Sequence, residues 1–151
     1  MALTQKETTL LQDLKSAEKL CIEKYVKYAS EACDGNLKNL FSEIVQTEQK
    51  HYDTISGLLG ETQWTSTGGT AVFQNVQPEN KSECETGGKQ KDQYLCEDAL
   101  SMEKHVSSVY DTCIFEFKDP DIRNTLNSIQ KEEQQHGEKI YNYMSQNGMY
   151  A

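Results

Sequence analysis

The chain has 151 residues, the usual size of one domain, and 24 Asp/Glu against 15 Lys/Arg give it a formal charge of −9. An acidic chain without basic clusters is a poor partner for nucleic acid, and no stretch is apolar and long enough to span a membrane. Five scattered cysteines (Cys21, Cys33, Cys84, Cys96, Cys113) form no C-x-x-C pair. That argues against a disulfide framework, a cysteine zinc site or a rubredoxin-type iron centre, and predicts reduced thiols inside a cell.

The opening "MALTQKETTLLQDLK" carries acids and amides and has no uninterrupted apolar core, so it does not read as a secretory signal. The sequon at Asn80-Lys81-Ser82 is therefore given no weight, and the expected location is intracellular. A first helix follows, with the stripe Leu11, Leu14, Glu18, Cys21, Tyr25, Tyr28, Ala32 in steps of three and four. Asp34-Gly35-Asn36 offers a turn and an N-cap. The second helix has the stripe Leu37, Phe41, Ile44, Glu48, His51, Ile55, Leu58. Residues 60–90 are rich in Gly, Ser, Thr and Asn, and only "TAVFQNV" has strand character. Trp64 in this segment is expected to pack beneath it. A third helix then carries Ala99, Glu103, Val106, Tyr110, Cys113 and Phe117. Asp119-Pro120-Asp121 supplies another N-cap with proline at the first helical position. The last stripe is Ile122, Leu126, Ile129, Glu133, His136, Ile140, Tyr143.

The second half repeats the first. A shift of 85 residues lays 10–59 over 95–144 without a gap, with fourteen identities in fifty positions. Among them are Glu18/Glu103, Tyr25/Tyr110, Asp34/Asp119, Glu48/Glu133 and His51/His136. One helical hairpin is thus used twice. The expected architecture is all-α: a four-helix bundle of two antiparallel hairpins (5–59 and 91–147) in one domain. The linker 60–90 is long because the third helix must start at the far end, roughly 36 Å away for helices of this size.

Glu18, Glu48, His51, Glu103, Glu133 and His136 all fall on stripes that otherwise face the core. Left uncompensated, each buried charge would cost several kcal/mol. Two metal ions would neutralise the four carboxylates and take the neutral imidazoles as ligands. Iron or manganese suits this donor set, with zinc also compatible. The arrangement is one Glu from each of two helices and Glu-x-x-His from each of the other two. The i, i+3 spacing puts Glu and His on one face, so that both reach the same ion pair. The two E-x-x-H glutamates are expected to bridge, with Glu18 and Glu103 terminal. Two plainer readings compete: solvated E-x-x-H motifs on Glu-rich helices, or a metal-free core of carboxylate–histidine hydrogen bonds. Tyr25 and Tyr110, two turns beyond the stripe glutamates, are candidate hydrogen-bonding or redox neighbours of the ligands, packing being the simpler role. Surface roles are expected for Asp13, Asp98, Glu31 and Glu116. His105 and Glu23, with Leu20 and Ser108 as counterparts, are weak ligand candidates.

"LLQDLKSAEKLCIEKYVKYASEACDGNLKNLF" and "IQKEEQQHGEKIYNYMSQNGMY" resemble the spore coat protein F family of clostridia and bacilli. The Glu and E-x-x-H constellation resembles the ferritin-like superfamily, in particular rubrerythrin-type di-iron bundles. The first resemblance implies a spore coat protein whose partners are other coat proteins. The second implies dinuclear iron or manganese and chemistry on peroxide or dioxygen, with electrons from a separate donor, since rubredoxin cysteines are lacking. The chain departs from rubrerythrin in having no further carboxylate one turn from Glu18 or Glu103. Nothing indicates a ferritin-type cage, and a homodimer suits a narrow polar bundle.

Overall fold

The computed structural model describes residues 2–61, 84 and 87–150, and among these every regular element is helical. The four helices are α1 (Gln5–Glu31), α2 (Gly35–Leu58), α3 (Gly88–Glu116) and α4 (Pro120–Gln146). They form a four-helix bundle in which α1 pairs with α2 and α3 with α4, while α1–α3 and α2–α4 contacts join the two hairpins. The "TAVFQNV" segment, Trp64 and the sequon lie outside the described residues.

The helix starts follow from local chemistry. Thr4 caps α1 in a reciprocal capping box: its hydroxyl accepts from Glu7 N at 3.2 Å, and Glu7 Oε2 accepts from Thr4 N at 2.8 Å. Asp34 and Asp119 cap α2 and α4 by accepting from Asn36 N and Asp121 N, with Pro120 at the start of α4. Gly87 precedes α3 with φ of 97°, a left-handed conformation that glycine adopts without strain.

Two buried acids tie the hairpins end to end. Asp92 of α3 accepts from Cys33 N at 2.7 Å and from Asp34 N at 2.9 Å, clasping the α1–α2 turn. Glu7 of α1 accepts from Lys118 N at 3.3 Å in the α3–α4 turn. Glu7 and Asp92 are counterparts at the 85-residue offset, as are Cys33 and Lys118, so the repeat reaches further toward the N-terminus than its identities do. These clasps put the start of α3 beside the α1–α2 turn, at the opposite end of the bundle from the end of α2. All neighbouring helices are consequently antiparallel, and 60–90 joins opposite ends.

The expectation of five reduced thiols is corrected at one pair. Cys33 and Cys84 form a disulfide, with Cα atoms 5.5 Å apart, while Cys21, Cys96 and Cys113 are free and buried. Sequence spacing gave no sign of it because the two cysteines are 51 residues apart and are brought together by the return of the chain to the first turn. Gly88 permits the approach: a Cβ there would lie 2.8 Å from both Cys33 Sγ and Cys84 Cβ.

The core runs along the bundle axis in two apolar blocks. Leu11, Leu14, Ile55, Leu126 and Ile129 fill one end; Phe41, Ile44, Ala99, Ile140 and Met144 fill the other. Each buried Leu, Ile or Phe contributes about 1.5–3 kcal/mol. These blocks hold a polar layer between them, made of the stripe glutamates and histidines.

Candidate metal centre

Glu18 reaches this layer from α1, Glu48 and His51 from α2, Glu103 from α3, and Glu133 and His136 from α4. None is more than 4% exposed. Glu18 lies sixteen residues before Asp34 and Glu48 fourteen after it, so an antiparallel hairpin brings them to one height; the second hairpin does the same. All six named residues come together.

They form two overlapping quartets. One is Glu18, Glu48, His51 and Glu133; the other is Glu48, Glu103, Glu133 and His136. In each, one potential ligand atom per residue lies within 4.8 Å of all the others, and Glu48 and Glu133 belong to both. His51 Nδ1 is 2.9 Å from Glu133 Oε1, 3.5 Å from Glu48 Oε2 and 3.7 Å from Glu18 Oε2. His136 Nδ1 is 3.0 Å from Glu48 Oε1, 3.4 Å from Glu103 Oε1 and 3.5 Å from Glu133 Oε2. Atoms each about 2.1 Å from a common ion sit about 3–3.5 Å from one another; the histidine–carboxylate distances here run from 2.9 to 3.7 Å.

Hydrogen bonding leaves this layer incomplete. Among the described residues, Glu18 Oε2, both Glu48 oxygens, Glu103 Oε2, Glu133 Oε2 and His136 Nδ1 are buried without a hydrogen bond. His136 Nδ1 is near three carboxylates, yet aligned as a donor to none. Proximity without alignment fits groups aimed at a third atom, and the hard oxygen and imidazole donors fit iron, manganese or zinc.

The outer faces of the cluster residues are, by contrast, well supported. Tyr25 OH donates to Glu103 Oε1, and Tyr110 OH donates to Glu18 Oε1 at 2.5 Å, so each repeat's tyrosine holds the other repeat's glutamate. Both tyrosines are fully buried; they pack and hydrogen-bond at once. Glu132 carries no mark in the sequence pattern, yet its carboxylate lies 2.5 Å from His51 Nε2, the nitrogen facing away from the cluster. A carboxylate on the outer nitrogen fixes ring orientation and raises ligand basicity. Its counterpart is Thr47, so comparison of the repeats hides it.

Electrostatics reflects the crowding of four carboxyls. Burial, then the neighbouring Glu18 carboxyl, pushes Glu48 up to about 7. Burial and Glu133 push Glu103 up to about 8, and burial raises Glu18. Burial opposes protonation of the imidazoles, but the carboxylates outweigh it and push His136 up to about 11. His51 is raised further, by Glu133, Glu18 and Glu48. Without a metal, crowding and burial favour the protonated forms of Glu18, Glu48, Glu103 and both imidazoles.

Other candidates fall away from the centre. His105, Glu23 and Asp13 are exposed, and Glu31 and Glu116 pair with surface lysines. Asp98 departs from its expected solvated role: it accepts from Tyr28 OH, with Lys24 Nζ at 3.5 Å. The reason is that its helix turns it toward α1, where Tyr28 replaces the second repeat's Cys113.

The Coat F domain family matches residues 91–151, which take in nearly all of α3, the second turn and α4, and with them Glu103, Glu133 and His136. No curated protein and no solved structure matches the chain. No described helix is long and apolar enough to cross a membrane.

Proposed function

We propose that this chain is a spore-coat-type protein holding a dinuclear iron or manganese centre in the core of its bundle. The observation that carries the metal reading is the pair of buried quartets sharing Glu48 and Glu133, with inward oxygens that no hydrogen bond satisfies. Glu48 and Glu133 would bridge the two ions. Glu18 with His51 would complete one ligand set, and Glu103 with His136 the other. When bound, such ions supply redox capacity and positions for oxygen ligands. The chain's own residues would orient the ligands through Tyr25, Tyr110 and Glu132, and the apolar blocks would restrict water. The Coat F match over 91–151 supports the coat assignment and other coat components as partners.

A second reading, a rubrerythrin-like oxidoreductase acting on peroxide or dioxygen with a separate electron donor, is favoured by a groove that reaches Glu103 and Glu133. A metal-free structural coat component is the third, favoured by the 2.9 Å His51–Glu133 hydrogen bond. Metal content per chain, measured on protein from iron- and manganese-supplemented cells beside a Glu48→Ala/Glu133→Ala variant, separates them. About two ions per chain, lost in the variant, supports the dinuclear reading; peroxide consumption with a reductant then distinguishes the oxidoreductase. A folded wild type that takes up no ferrous iron or manganese overturns both metal readings.

A further inference from the structure

The two repeats enclose two grooves at equivalent positions, and the differences between them are chemical. The α1–α2 groove has a volume of about 220 Å³ and is lined by Lys19, Ile22, Glu23, Gln49 and Tyr52. The 85-residue counterparts of all five line a larger cavity of about 520 Å³ between α3 and α4. Ser107 stands in place of Ile22 and Gly137 in place of Tyr52. Two bulky side chains on one side of the bundle are thus a hydroxymethyl and a hydrogen on the other. The consequence is visible in the depth of each groove: the α3–α4 cavity is lined by Glu103 and Glu133, whereas the α1–α2 lining contains no residue of the cluster.

We propose that the α3–α4 groove is the passage by which metal ions and small polar ligands reach the carboxylate cluster, and that Ser107 and Gly137 keep it open while Ile22 and Tyr52 close its equivalent. The identification of what travels rests on the metal reading above; the existence and side of the passage do not. Gly137 is not required by the backbone, since it has no positive φ, and an added Cβ would meet Leu100 Cδ2 at an ordinary 4.0 Å. Its lack of a side chain has its effect in the groove. Lys104, Gln130 and Gln134 line the groove with polar groups, and Glu133 and Glu103 of the cluster line it too.

The test does not depend on metal. The full chain, stripped with a chelator, is treated with a small water-soluble carbodiimide and methylamine, and modified glutamates are located by peptide mass. The passage predicts Glu103 or Glu133 labelled at least tenfold faster than Glu18 and Glu48, and a Ser107→Ile/Gly137→Leu variant slowing that labelling at least tenfold. In parallel, cobalt(II) uptake is followed by visible absorption, with the same slowing expected in the blocked variant. Should the blocked variant not fold, Ile22→Ser/Tyr52→Ala tests the same idea in reverse by exposing Glu18 or Glu48. Equal labelling of the four glutamates in the wild type, or unchanged rates in a folded blocked variant, overturns the passage. Selective labelling in a protein that takes up no cobalt leaves the passage standing and removes the metal reading.

Discussion

Replacing Glu48 with glutamine has opposite consequences for the metal-free and metal-loaded protein, and the metal-free effect can be worked from the structure. Glu48 is fully buried beside Glu18, and its carboxyl titrates at about 7 in place of 4.5. At about 1.4 kcal/mol per tenfold change, holding the ionised form inside costs the fold about 3 kcal/mol at pH ~8. The folded state binds more protons than the unfolded one between these two values, so wild-type stability falls as pH climbs through that window. At pH ~5 the same carboxyl is mostly protonated in the fold, and the linked loss is under about 1 kcal/mol. Glutamine removes the charge while keeping the shape. Glu48→Gln should therefore gain about 2–3 kcal/mol relative to wild type on going from pH ~5 to pH ~8. Urea denaturation of both proteins, stripped of metal, at the two pH values measures this directly. Saturating manganese should reverse the ranking at pH ~8, because the wild type then gains linked binding energy that the variant lacks. A variant whose stability relative to wild type is the same at both pH values refutes the crowding argument, and identical manganese stabilisation of both refutes the shared role of Glu48.

Three further changes test one support of the cluster and two ties at the first turn. Tyr110→Phe removes the buried donor to Glu18 and should cost about 1.5–3 kcal/mol in urea denaturation, the range for a hydrogen bond to a buried charged group. Asp92→Ala leaves two turn N–H groups without their acceptor and should cost about 2–4 kcal/mol, with faster amide exchange at Cys33 and Asp34 read by NMR. Cys33→Ser opens a loop whose ends are 51 residues apart; by chain entropy this should cost up to about 4 kcal/mol, seen as a lower urea midpoint that reductant no longer changes.

How much of this was legible in the sequence depended on whether a feature was written twice. Apolar stripes at helical spacing and capping residues at both turns prescribe four helices, and the helices lie where those signals put them. Glu18, Glu48, His51 and their counterparts stand out because a buried carboxylate is costly, and recurrence of that cost at one offset requires a common reason. Tyr25 and Tyr110 are also written twice, yet their crossed hydrogen bonds were not readable: pairing each with the opposite repeat's glutamate depends on how the hairpins face each other. Glu7 and Asp92 escaped for a different reason. They differ in side-chain length, so an identity comparison passes over them, although each clasps the other hairpin's turn. Cys33 and Cys84 are joined by chain return, which no local pattern encodes.

The features that break the repeat bear most directly on what the centre can do. A perfectly symmetric bundle would give both halves of the cluster the same support and the same exposure. Here Glu132 lies on the outer nitrogen of His51, while its counterpart Thr47 has no carboxylate to offer His136. On the other half, Ser107 and Gly137 open a groove toward Glu103 and Glu133, where Ile22 and Tyr52 fill the equivalent space. Each half has a tyrosine on its glutamate; the His51 half has the Glu132 carboxylate in addition, and the groove lies on the Glu103 and Glu133 side. A groove on one side of the cluster is what the proposed passage predicts. All six cluster residues recur at the 85-residue offset, so the asymmetry of the cluster lies in its surroundings: Glu132 on the His51 side, and the groove beside Ser107 and Gly137 on the Glu103 and Glu133 side.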